Sequence, residues 1–333
     1  MKNKENDFLG KTNELFSKEM TRKTFLKTLA ALSALLALPS KKAGEVFAQN
    51  TDSLNERNKR NSVTDIDLSA VTGNSPAANT RRALELLGGI SRFVKKGDIV
   101  SIKPNISWNL PPQYGANTNP ETVSETVKMC FESGAKEVKV FDNTLNERKS
   151  CYENSGIASA AKKAGANVFY TDNWRFAPAK FKDSKAVLQD FLFVKDAVSC
   201  DVLISIPAAK HHGQARLSLG LKNLIGLVGG NRGQLHWHLD ESIYELNDFF
   251  KPDLYIIDAT RTITAHGPRG GDLKDVAVQN TIAVSADGVL ADSYSAKTFF
   301  NLSYTAVPHI ALCAQKGLGK VFSANSKIKT EKI

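Results

Sequence analysis

Residues 200–212 read CDVLISIPAAKHH, and this stretch decides the fold. Val202-Leu203-Ile204-Ser205-Ile206 is a short apolar run with no amphipathic alternation, the pattern of a strand buried on both faces. Pro207 interrupts it, and Lys210, His211 and His212 follow. Two other stretches share the form. GDIVSIKPN (97–105) and PDLYIIDATRTITAHGP (252–268) each begin after an Asp, run apolar and exit into polar residues. VKVFDN (138–143) and VFYTDN (168–173) exit into Asp-Asn.

Helical patterns lie between these runs. Ala83, Leu84, Leu87 and Ile90 recur at helical spacing within Thr80–Phe93. Asn119 can cap a helix whose first residue is Pro120, with Val123, Val127, Cys130 and Phe131 on one face. Further helices are expected over 154–164, 240–250, 288–300 and 307–316, with Asp287 capping the third of these. Leu217, Leu221, Leu224, Ile225 and Val228 also recur at helical spacing. Further strands are expected at 167–170, 191–194 and 280–285. Strand and helix in alternation predict an α/β fold, a mostly parallel central sheet with helices on both faces. Such sheets bind ligands beyond the carboxyl ends of their strands. The Lys-His-His cluster therefore falls where this fold places a site, at a wet edge, and Lys210 is expected to be solvated there.

The chain has 333 residues, 42% hydrophobic and 23% charged, which is ordinary for a globular protein. Its formal charge is +10, but nine of the 44 Lys/Arg and five of the 34 Asp/Glu lie in residues 1–48, leaving +6. No basic stripe with interleaved aromatics appears, so nucleic acid is not an expected partner. Residues 1–48 read as an export leader. TRKTFLK (21–27) resembles the twin-arginine motif, with Lys23 at the second arginine; Thr28–Leu38 is apolar, and Val46-Phe47-Ala48 offers a cleavage point. The ordinary secretory route is the alternative. The apolar segment is too short to span a bilayer, so no membrane span is expected after cleavage. Residues 49–79 read as a linker or extension, 80–322 as the α/β domain and 323–333 as a polar tail.

Cys130, Cys151, Cys200 and Cys313 make no C-x-x-C pair, which argues against an iron–sulfur cluster. A Cys151–Cys200 disulfide is conceivable outside the cytoplasm. The glycines of 220–233 match neither nucleotide-loop spacing, and no G-x-S-x-G or H-E-x-x-H is present. His236-Trp237-His238 has the alternation of metal ligands on an extended segment.

The candidate site combines Lys103, Asn105, Lys210, Lys222, Asn223 and His266 as ligand-binding residues. His211 is preferred over His212 as acid/base, because adjacent histidines seldom serve one site together. Asp142 is its expected partner, and Asp142 and His211 are the candidate ligands of a divalent metal. An excess of cationic donors suggests an anionic small molecule.

The stretches GDIVSIKPN, GANTNPETVSETVKMCFESGAKEVKVFDN, DVLISIPAAKHHGQARLSLGLKNLIGLV, PDLYIIDA, GPRGGD and SADGVLADSYSA resemble, as a set and in order, the DUF362 family of bacterial and archaeal proteins. The resemblance covers about residues 95–320. It implies the same single α/β domain and the same site positions, and no reaction. Many family members carry a cysteine-rich ferredoxin module; this chain lacks that module. Three function classes follow: an enzyme using acid/base or metal-assisted chemistry on an anion, a non-catalytic ligand-binding module, and a metal or redox accessory protein.

Overall fold

The computed structural model describes residues 65–179 and 186–333. The expected export leader lies outside the described residues. In chain order the first six strands are β1 (Leu68–Thr72), β2 (Ile99–Pro104), β3 (Glu137–Val140), β4 (Asn167–Val168), β5 (Phe176–Pro178) and β6 (Leu192–Val194). Then come β7 (Val202–Ile206), β8 (Ala208–His212), β9 (Arg216–Ser218), β10 (Leu254–Ile263), β11 (Val276–Ser285) and β12 (Ile328–Lys332). The helices are α1 (Pro76–Leu86), α2 (Pro120–Glu132), α3 (Arg148–Asn154), α4 (Ile157–Lys163) and α5 (Lys195–Val198). They continue with α6 (Gly220–Asn223), α7 (Leu239–Phe250), α8 (Gly288–Phe300) and α9 (Pro308–Gln315).

The large sheet has the order β12-β1-β11-β10-β7-β2-β3-β4. The five strands from β10 to β4 run parallel; β11 is antiparallel to both its neighbours. The sheet is thus mostly parallel, with helices on both faces. Alternation along β10 assigns the faces. Leu254 and Ile256 pack with residues of α1, α2 and α4, while Tyr255 and Ile257 pack with residues of α7, α8 and α9. Two covered faces explain why these strands read as unbroken apolar runs.

Chain order fixes the crevice. From β2 the chain moves outward to β3 and β4, then returns to β7 on the other side of β2. The reversal lies between β2 and β7, and their carboxyl ends diverge into different loops. Local signals set the helices as expected. Asn119 Oδ1 accepts from Glu121 N at 2.9 Å and Pro120 opens α2; Asp287 caps α8 by accepting from Leu290 N at 3.0 Å.

Several expectations need correction. Residues 68–72 belong to the sheet rather than to an extension ahead of it, and α1 already begins at Pro76. The expected polar tail contributes β12, which pairs parallel with β1. An edge strand needs only partial burial, so Lys329 and Glu331 can stand in it, and Glu331 accepts from Arg82 at 2.8–2.9 Å. Residues 191–194 do not enter the large sheet; β6 pairs with β5 in a separate two-stranded unit. The expected helix 154–164 is two, α3 and α4, divided at Ser155-Gly156. The helical spacing over 217–228 resolves into β9, the single turn α6 and a 3-10 turn, Leu224–Leu227. All four cysteines are free and buried.

Candidate functional site

The strands β2 and β7 end side by side, with Lys103 opposite Ser205 and Pro104 opposite Ile206. Pro207 does not end the run. The chain resumes as β8, held by β10 on one side and the hairpin strand β9 on the other. Lys210 is thereby drawn into the structure. It is only 1% exposed, and its Nζ donates to Asn105 Oδ1 at 3.1 Å and to the carbonyl of Ala116. The expectation of a solvated Lys210 is thus overturned: the lysine ties β8 to the loop after β2. Burial, together with the charge of Lys222, holds its pKa well below the usual lysine range.

Lys103 is equally buried. Its Nζ donates to Asn223 Oδ1 and to its neighbour's carbonyl, Pro104 O, each at 2.8 Å. Asp142 Oδ1 lies 2.9 Å away and has no aligned hydrogen-bond donor, so the contact is an ion pair. The other oxygen, Oδ2, accepts from Ile106 N at 2.7 Å. Burial lowers the Lys103 pKa, and the Asp142 charge works against that shift. Asn223 completes the knot, its Nδ2 donating to Lys103 O at 2.9 Å and Ser205 Oγ at 3.0 Å. Gly226 lies directly over the pair. A Cβ there would stand 2.1 Å from Asp142 Oδ1 and 2.5 Å from Lys103 Cε. Only glycine permits that approach.

A cavity of about 130 Å³ opens above this floor. Lys103, Asn105, Lys210, Lys222 and Asn223 line it, so five of the predicted ligand-binding residues converge. Its walls are apolar on several sides, with Trp108, Leu145, Leu219, Ile225 and Pro268. Asp142 acts from beneath, through Lys103.

Two predicted residues fall elsewhere. His266 is an exposed loop residue whose Nδ1 meets Asp275 Oδ2 at 2.9 Å, outside the cavity lining. His211 is also absent from the lining; its Nδ1 accepts from Gly267 N at 3.2 Å. His212 lines the cavity instead. The reason is the period of two in a strand: residues 210 and 212 share a face, and 211 takes the other. The loop 265–272 packs on His211 so closely that a Cβ on Gly267 would meet His211 O at 2.1 Å. Among the described residues, no group of three or more His, Cys, Asp and Glu could hold a metal, so Asp142 and His211 form no such centre.

Sequence reasoning missed Arg232 and His236 as lining residues. Both lie on the 3-10 helix Arg232–His238, so His236 and His238 are not the extended metal-like pair expected. Arg232 Nη2 donates to Thr144 O at 2.7 Å and Nη1 to Asn143 O, which anchors this helix over the carboxyl end of β3. The His212 and His236 rings stack with centroids 6.4 Å apart. Their tautomers follow from their partners. His212 Nδ1 accepts from Ala215 N at 3.1 Å, so its proton sits on Nε2; burial, followed by the charge of Lys222, lowers its pKa to about 3. His236 Nδ1 faces Gly233 O at 3.2 Å, so Nδ1 carries the proton and Nε2 a lone pair. Lys222, half-buried, makes no hydrogen bond or ion pair among the described residues. Burial, then the charges of Lys103 and Arg232, bring its pKa down to about 8.

The model of the family described as Domain of unknown function (DUF362) matches residues 100–297. The chain belongs to the DUF362 family. The matched span holds every residue discussed above as lining the cavity. A thylakoid-associated protein from Synechocystis sp. is 29% identical over 251 residues, covering 73% of this chain and 74% of that protein. Two solved structures match more distantly. The lactate racemase apoprotein from Thermoanaerobacterium thermosaccharolyticum is 14% identical with a TM-score of 0.39, covering 68% of this chain and 56% of that one. A Thermotoga maritima protein is 13% identical with a TM-score of 0.35, covering 73% and 60%. This DUF362 chain thus spans less than two thirds of either. No helix among its described residues is long and apolar enough to cross a membrane.

Proposed function

We propose that this DUF362 protein binds a small organic anion in the cavity beyond β2 and β7, and that its two histidines equip the cavity for acid/base work. One observation carries the reading: Lys222 lines the cavity without a counter-charge among the described residues. Lys103, Lys210 and Arg232 stand around it, and Asp142, the nearby carboxylate, is already paired with Lys103. Cations held out of water need a partner, and an anionic ligand would supply it. The apolar walls favour an anion with a carbon skeleton over a bare mineral ion. The leader-like residues 21–48 support a site of action outside the cytoplasm, by the twin-arginine or the ordinary secretory route.

Calorimetric titration with propionate, benzoate and inorganic phosphate tests the reading. At least one carboxylate should bind, and more weakly as salt rises. Lys222→Met should weaken that binding by roughly 10- to 100-fold, the loss of one charge-assisted hydrogen bond. Absence of binding by all three anions would reject the proposal.

A further inference from the structure

The cavity holds three lysines, and they are not equivalent. Lys103 Nζ is fixed by Asn223 Oδ1, Pro104 O and Asp142, under the roof of Gly226. Lys210 Nζ is turned to Asn105 Oδ1 and Ala116 O. Among the described residues, Lys222 alone of the three lacks an acceptor, and it lines the cavity with His212 and His236. From these placements we propose that Lys222 is a nucleophilic amine that captures a 2-oxo acid as an imine. The proposal rests on the anion-binding reading of the same cavity and extends it to a ligand class.

Two features support it besides the free amine. A lysine meant only to hold a carboxylate gains nothing from being crowded by other cations, whereas a nucleophile gains a neutral state. Burial and the charges of Lys103 and Arg232 bring the Lys222 amine to about 8, within reach of neutral solution. The two histidines also bring opposite hydrogen-bonding characters to the cavity. His212 offers a fixed Nε2–H to its oxygen, and His236 offers a lone pair on Nε2. A neutral imidazole donor polarises a carbonyl without protonating it outright.

The chemistry balances without an external reagent. The Lys222 Nζ lone pair attacks the carbonyl carbon, a C–N bond forms and the C=O π pair moves to oxygen. The nitrogen gives up two protons, with His236 Nε2 as carrier. Both leave with the former carbonyl oxygen as one water, and a C=N bond remains. The ligand's carboxylate stays among the cationic donors.

The test is pyruvate with the full-length protein, borohydride reduction, and a peptide map by mass spectrometry. Propionate, which has the carboxylate and lacks the carbonyl, is titrated in parallel. One reduced pyruvyl adduct should appear on the peptide bearing Lys222, its yield rising between pH 6 and 9 about a midpoint near 8. The adduct should be lost in Lys222→Arg, which keeps the charge. An adduct on Lys210, or scattered over surface lysines, overturns the proposal. Propionate binding with no adduct on the wild-type Lys222 peptide also overturns it, and leaves the anion reading standing. Failure of pyruvate to bind or to form the adduct overturns the imine, and failure of propionate, benzoate, phosphate and pyruvate alike rejects the anion reading with it. Because the map is read on the wild-type chain, the result does not depend on the variant folding.

Discussion

Gly226 has no side chain, yet it decides how the floor of the site is built. The Lys103–Asp142 pair survives burial because Asn223, Pro104 O and Ile106 N satisfy its remaining polar atoms and Gly226 packs directly against it. A Cβ at 226 would overlap Asp142 Oδ1 and both terminal atoms of Lys103, so the ion pair or the 224–227 turn must move. Gly226→Ala should therefore cost roughly 1–3 kcal/mol in urea unfolding, the usual penalty of overpacking. An unchanged midpoint would show that the turn yields freely. At this scale the sequence was half legible. Lys103, Asn105, Lys210, Lys222 and Asn223 could be located because each follows or borders a strand exit. The sequence does not show that His212 rather than His211 faces the cavity, because Pro207 has the look of a strand end. Had 208–212 been read as a strand, the period of two would have paired His212 with Lys210. Arg232 gave no signal, since its role depends on carbonyls of Asn143 and Thr144, far away in the chain.

Among the elements, α6 is a single turn that carries Lys222 and Asn223, and a helix so short cannot hold itself in place. Asp292 of α8 anchors it: Oδ1 accepts from Gly220 N at 2.7 Å and Oδ2 from Leu221 N at 2.9 Å. Asp292 does not line the cavity, so it positions Lys222 without touching a ligand. Asp292→Asn would turn one of those oxygens into an amide donor facing an N–H. The variant should lose roughly 1–3 kcal/mol of stability. It should also bind propionate several-fold more weakly, because Lys222 loses its support. Lost stability with unaltered affinity would mean that α6 is held by other contacts. The anchor was hidden in the sequence for a physical reason. In sequence Asp292 is one more polar residue near the start of a helix, while Asp287 has the local capping pattern that spacing reveals. Elements built on local signals, α2 and α8 among them, were readable; β12 was not, since an edge strand paired with β1 carries no apolar run.

For the whole molecule, burial of ionisable groups sets how stability varies with pH. His212 and His309 are both buried, and burial, followed by the charge of Lys222, brings each to about 3. The unfolded chain binds protons on both from about 6.5 downward, whereas the folded chain refuses them until about 3. Between those limits the unfolded state holds more protons, so stability falls as the solution is acidified. Asp292 works in the opposite sense. Burial raises it to about 7 from 3.8, so the folded state takes up its proton first and gains stability as pH falls across that interval. Asp258 and Asp287, also raised by burial, act in the same sense as Asp292, so the share of each histidine is read from its own variant rather than from the net slope. His309 allows this to be tested away from the cavity, because it does not line it and neither of its ring nitrogens has a hydrogen-bond partner among the described residues. Replacing it by leucine removes one acid-sensitive group and no hydrogen bond. His309→Leu should be close to neutral at pH 7 and should exceed the wild type by roughly 2 kcal/mol at pH 4.5. If the variant and the wild type lose the same stability between the two pH values, His309 takes up a proton in the folded state as readily as in the unfolded one, and burial does not govern its titration.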